Sequence, residues 1–66
     1  MTKQVKGINF EVKFWKNRIY FNSVGLGRTQ TVTACWDKEK GEFVKCQNRP
    51  GAAMEAAIYE AFQEVV

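Results

Sequence analysis

The stretch "INFEVKFWKNRIYF" (residues 8–21) decides the fold. Ile8, Phe10, Val12 and Phe14 fall on one side of its alternation, and Asn9, Glu11 and Lys13 on the other. Strict period-two alternation is the mark of a half-buried strand. Residues 18–22 read as a second strand, with Ile19 and Phe21 inward. The register of the pair follows from which side chains must be buried. A turn of two residues, Lys16-Asn17, pairs Phe14 with Ile19 and Val12 with Phe21. It sets Trp15 opposite Arg18 and Lys13 opposite Tyr20 on the other face. A turn one residue longer would face core side chains with solvent-facing ones, because a slip of one position flips every side chain. The shorter turn is therefore expected, with Asn17 in the left-handed conformation it needs.

Outward from this hairpin, "SVGLGRTQ" (23–30) reads as a connection. Gly25 and Gly27 interrupt the strand pattern, and Val24 and Leu26 are expected to tuck beneath it. Alternation resumes at 30–36, with Val32, Ala34 and Trp36 on one face and Thr31, Thr33 and Cys35 on the other. A turn with left-handed Gly41, closed by Asp37 and Glu42, pairs Trp36 with Phe43 and Cys35 with Val44. In that register Cys46 lies opposite Thr33, diagonal to Cys35. Diagonal positions give poor disulfide geometry, so free, partly exposed thiols are expected.

The last segment, "NRPGAAMEAAIYEAFQEVV", changes period. Met54, Ala57, Ile58, Ala61, Phe62 and Val65 recur at helical spacing. Asn48 is the expected N-cap and Pro50 suits the first turn. Glu55 near the start suits the helix dipole, whereas Glu64 near the end opposes it. The expected fold class is α+β: a four-stranded antiparallel sheet, made of two β-hairpins, with one C-terminal helix packed on its apolar face. It forms a single domain over residues 1–66, with the sheet at about 5–46 and the helix at about 50–65.

Composition agrees with a folded domain: 45% of the residues are hydrophobic and 14% aromatic. Ordered structure is expected throughout, apart from the first few residues. Charge is distributed unevenly. All ten bases precede position 50 with four acids among them, net +6, whereas residues 51–66 carry three glutamates and no base, net −3. A basic sheet and an acidic helix are expected. The start shows no apolar run of signal-peptide length, and no segment has the roughly 20 apolar residues of a membrane span. The expectation is a cytoplasmic protein with no membrane partner.

Several chemistries are disfavoured by residue type. Histidine, the usual acid–base group near neutral pH, is absent. Two cysteines cannot supply a four-ligand zinc site, and Lys45, the cation beside Cys46 that could lower a thiol pKa, faces the other way by alternation. Asp37, Glu39 and Glu42 cluster at a turn, where solvated carboxylates are ordinary. "GLGR" has the glycines of a phosphate loop without a following helix. No enzymatic activity, metal or cofactor is expected.

The uncovered face of the sheet remains. It should display Glu11, Lys13, Trp15, Arg18, Tyr20, Asn22, Thr31, Thr33, Cys35, Val44 and Cys46. Exposed aromatics among cations bind single-stranded nucleic acid. The same residue types are enriched at protein–protein interfaces. They also stabilise hairpins by ordinary cross-strand pairing, here Trp15 over Arg18 and Tyr20 beside Lys13. Lys13, Trp15, Arg18 and Tyr20, with Arg28 from the connection, are the candidate partner-binding residues.

In plan the chain resembles the archaeal small chromatin proteins, of similar length with a C-terminal helix. It also resembles the three-stranded-sheet DNA-binding domain of phage integrases. In size and style, with "RIYFNSVGLGR" and "ACWDKEKGEF" and no catalytic apparatus, it is similar to small phage or mobile-element proteins, among them the anti-CRISPR proteins. That resemblance implies an inhibitor occupying a surface of a host protein or nucleoprotein complex. Many anti-CRISPR proteins are acidic DNA mimics, a subclass the basic first fifty residues do not fit. The alternative is a DNA- or RNA-binding protein using the same face. An open sheet edge would permit either a monomer or an edge-paired homodimer.

Overall fold

The computed structural model describes residues 1–25, 30–46 and 50–66. Its strands are β1 (Thr2–Val5), β2 (Ile8–Trp15), β3 (Arg18–Val24), β4 (Gln30–Asp37) and β5 (Glu42–Val44), followed by the helix α1 (Ala52–Ala61). They form one antiparallel sheet in the order β1-β2-β3-β4-β5. The class is α+β as expected, but the sheet has five strands rather than four.

The additional strand is β1. A two-residue turn at Lys6-Gly7 folds it back so that Val5 faces Ile8 and Lys3 faces Phe10. Both turn residues are left-handed, Lys6 at φ 50° and Gly7 at φ 79°. Positive φ at both central positions gives the twist that matches flanking strands. Val5 is buried, and Lys3 reaches the helix C-terminus: its Nζ donates to the Ala61 carbonyl at 2.6 Å and to Glu64. This cation answers the unfavourable end charge of the sequence.

The β2–β3 register is the one that burial demands: Val12 faces Phe21, Lys13 faces Tyr20, Phe14 faces Ile19, and Trp15 faces Arg18. The left-handed residue of the turn is Lys16, at φ 55°, not the expected Asn17. Trp36–Phe43 and Cys35–Val44 pairing and a left-handed Gly41, φ 67°, are also as expected.

One face of the sheet carries the core. Phe10, Val12, Ile19, Phe21 and Ala34 are buried there, with Ile58 of α1 and its C-cap Phe62. The Phe62 ring lies 5.0 Å from Phe21, and Tyr59 lies 5.3 Å from Trp36. Each fully buried Phe or Ile contributes about 1.5–3 kcal/mol relative to exposure. Met54, Ala57, Ala61 and Val65 pack around them, so the whole expected helical stripe faces the sheet. The helix itself is shorter than expected and its N-cap is Gly51, with no side-chain cap. Asn48, the expected cap, lies outside the described residues.

Three side chains depart from their expected places. Phe14 has the right face but is 61% exposed, because the helix does not reach that end of β2. Val32 leaves the core face. A register shift between Phe21 and Asn22 pairs Asn22 with Val32 and skips Thr33, so the pleat of β4 inverts there. Thr33 instead donates to the Ser23 hydroxyl at 2.8 Å. Cys35, expected to be partly exposed, is fully buried.

Candidate functional site

The candidate residues sit where two hairpin tips meet. The β2–β3 turn brings Trp15 and Arg18 together, and the pleat adds Lys13 and Tyr20 one row inward. The row continues across the sheet as Trp15, Arg18, Asp37 and Glu42. The next row runs Lys13, Tyr20, Cys35 and Val44. A main-chain hydrogen bond from Lys38 N to Asn17 O, 2.9 Å, ties the two tips.

Asp37 holds this end in shape. Its Oδ1 accepts from the backbone N–H groups of Glu39 and Lys40 at 2.9 and 3.0 Å, the side chain mimicking a turn of backbone. Its Oδ2 faces Arg18 Nε at 3.8 Å. Arg18 thus has a carboxylate neighbour across the strands, beyond ordinary hydrogen-bond length. The expected stacking of Arg18 on Trp15 gives way to a different cation: Lys16 Nζ lies 4.6 Å from the Trp15 ring centroid. The structure therefore brings together Lys13, Trp15, Arg18 and Tyr20 as expected. Arg28 lies outside the described residues.

Trp15 is 58% exposed and forms one wall of an open depression of about 300 Å³. Lys16, Asn17, Arg18, Asp37 and Glu39 complete the lining. Two cations and two carboxylates meet there, so the depression has no dominant sign. The whole outer face is similarly balanced. Lys13 and Arg18 share it with Glu11, Asp37 and Glu42. Among the described residues, Lys6, Lys16, Lys38 and Lys40 place positive charge at the turns instead.

Cys35 is central to the second row and is fully buried. Burial pushes its thiol above the ordinary value, neighbouring Cys46 and Asp37 add to the rise, and Arg18 opposes it. A thiol kept neutral is a weak nucleophile. Both cysteines are free, as expected. Among the described residues no group of three or more acidic or sulfur ligands is placed to hold a metal ion. Among them, too, no helix is long and apolar enough to cross a membrane.

One residue of the site is not marked by the sequence pattern: Lys16, a left-handed turn residue at φ 55°, brings its Nζ to 4.6 Å from the Trp15 ring centroid. Compared with known proteins, the chain matches no family model, no curated protein and no solved structure.

Proposed function

We propose that this is a non-enzymatic binding protein that occupies a surface of a host protein or nucleoprotein complex, in the manner of a small phage-type inhibitor. The contact is made by Trp15 with Lys13, Arg18 and Tyr20. The observation that carries this reading is Trp15 itself: a tryptophan 58% exposed on a sheet face whose charges nearly cancel. Tryptophan, tyrosine and arginine are the residues that dominate binding energy at protein interfaces. Asp37, 3.8 Å from Arg18, favours an Arg18 side chain held near the site, which lowers the ordering cost of association.

Direct DNA or RNA binding through the same face is the second reading. Trp15 beside Lys13 and Lys16 favours it, since a base can stack on the ring while cations hold phosphates. Glu11, Asp37 and Glu42 on that face weigh against it, because they interrupt any track for a phosphate backbone. Salt separates the two. A protein partner is retained stoichiometrically on the immobilised chain at moderate salt and is lost with Trp15→Ala. That truncation should weaken the complex by about 2 kcal/mol or more, roughly 30-fold. Nucleic-acid binding would instead show affinity falling steeply with salt, its slope tracking the phosphates neutralised. Retention unchanged by Trp15→Ala, or no retained protein at all, defeats the proposal.

A further inference from the structure

The outward side of β1 is an unguarded sheet edge. Val12 N–H donates to Met1 O at 3.1 Å, so Met1 directs its main chain toward β2. Successive residues of an antiparallel strand alternate in this direction. Lys3 and Val5 therefore also face β2, and Thr2 and Gln4 turn their N–H and C=O groups outward. Among the described residues β1 has no strand on that side. Thr2 and Gln4 are uncharged, and Lys3 bends away to the Ala61 carbonyl and Glu64. Charges, prolines or bulges guard most natural edges, and none of these blocks the outward groups here. The opposite edge, β5, has three residues to the four of β1 and begins on Glu42.

Beside this edge an open groove of about 420 Å³ runs between β1 and α1. Val5, Ala57 and Ala61 give it an apolar lining, and Lys6 and Glu60 border it with opposite charges. Neither of these two has an ion-pair partner among the described residues. We infer that the occupant of this edge is a second copy of the same chain, its β1 antiparallel to the first across a two-fold axis at Gln4. A two-fold interface presents the same patch from both sides, so its charges are satisfied only where the patch carries both signs. Lys6 and Glu60 meet that condition, each lysine turning to the glutamate of the other copy. A strand of one charge from another protein would satisfy one of them and be repelled by the other. The register follows from the same reasoning. An axis at Lys3 would set two lysines face to face, which destabilises a strand pair. An axis at Gln4 lets the two Gln4 residues exchange N–H···O bonds and places Lys3 beside Val5 of the other copy, where its apolar stem can pack. The small side chains of Ala57 and Ala61 leave room above the axis for the facing helix. Trp15 lies on the sheet face away from α1, so this pairing is separate from the binding role and leaves that site open in both copies.

The test is sedimentation equilibrium of the 66-residue chain from about 1 µM to about 1 mM, the range in which a small interface dissociates. The mass should rise from 7.6 kDa toward twice that value. Gln4→Pro removes the outward N–H without touching the β1–β2 ladder. It should hold the chain at the monomer mass throughout, with the circular dichroism of the folded protein. Lys6→Glu and Glu60→Lys each bring like charges together and should raise the dissociation constant about tenfold or more. The double variant Lys6→Glu/Glu60→Lys restores opposite signs and should return it to within about threefold of the natural chain. A substitution that acted only by loosening the fold of one copy would not be rescued in this way. A monomer at every concentration, a dimer that survives Gln4→Pro, or single variants that the double does not rescue would each overturn the inference. So would loss of the dimer with Trp15→Ala, which would place the interface on the outer face. If the dimer fails while retention of a protein partner still depends on Trp15, the pairing at β1 is wrong and the binding role stands. If retention fails and the dimer behaves as stated, the reverse holds.

Discussion

Phe10 and Phe14 stand four residues apart on one strand and one face, and one is fully buried while the other is 61% exposed. Their local sequences are alike, and both obey the same alternation. The difference lies in what crosses above them. Phe10 sits under the C-terminal turn of α1, where Phe62, Lys3 and Val5 close around its end of the sheet. Phe14 lies beyond the reach of the helix, at the corner where Trp15 is exposed on the opposite face. A pleat assigns a residue to a side, but only tertiary cover converts a side into a core. One helix of ten residues packs over Ile19 and Trp36 but leaves the corner of the apolar face at Phe14 open.

The comparison breaks most sharply on truncation. Phe10→Ala should cost about 3–5 kcal/mol, because it removes transfer energy and leaves a void. A domain of this size has only about 3–10 kcal/mol in total, so the variant should be largely unfolded by circular dichroism. Phe10→Leu leaves a smaller void and should keep a measurable urea transition at a lower midpoint. Phe14→Ser, by contrast, should shift stability by no more than about 0.5 kcal/mol, as for other open surface sites. Equal losses at the two positions would mean that Phe14 is covered in solution.

Most of the covered region was legible in the sequence. Alternation in residues 8–14 and the requirement for apolar pairing gave the β2–β3 register residue for residue. The helical stripe from Met54 to Val65 gave the cover. The strand β1 was not legible, because "TKQV" has a single strongly apolar residue and its turn places a lysine at positive φ, which sequence rules assign to Gly, Asn or Asp. The shift at Val32 was hidden for a related reason. A bulge inserts one residue without changing composition, so the alternation Val32, Ala34, Trp36 looks unbroken along the chain. The site was half legible: strand pairing gave Trp15–Arg18 and Lys13–Tyr20, but Arg18–Asp37 depends on β3–β4 pairing, which no local pattern specifies.

Cover can also be loosened without touching the core. Lys3 holds the last turn of α1 to β1 through the Ala61 carbonyl and Glu64, and its ammonium lies 5.4 Å from the Phe62 ring centroid. Lys3→Met keeps an apolar stem over Phe62 and removes the donor. The expected cost is about 1–2 kcal/mol, from the lost charged hydrogen bond and the uncompensated helix end. Amide exchange should accelerate at Phe62, Val65 and Val66, whose N–H groups close the end of the helix. The matching change at the open corner, Lys13→Met, should be neutral within about 0.5 kcal/mol. A smaller effect tests the frame of the open end. Gly41→Ala meets no atom within 4 Å, so its cost is that of a left-handed alanine alone, about 1 kcal/mol, read as a lower urea midpoint at unchanged slope.

The smallest expected effect is electrostatic and concerns the outermost contact of the covered side. The hydrogen bond from Lys3 holds the Glu64 carboxyl below its ordinary range, with a backbone hydrogen bond adding to it. A carboxyl depressed in the folded state stabilises the fold fully above its unfolded pKa, and that contribution disappears as pH falls through the folded pKa. The stability difference between the natural chain and Glu64→Gln should therefore be present at neutral pH and shrink below the ordinary glutamate range, near pH 4. Glu64 is fully exposed, so the difference should be slight and should fall with added salt. In the Lys3→Met background it should shrink to the part left by the backbone hydrogen bond, because the carboxyl has lost the larger of the two contacts that depress it. A Glu64→Gln difference that persists undiminished without Lys3 would assign the effect to the backbone contact and leave the covering helix without its clamp.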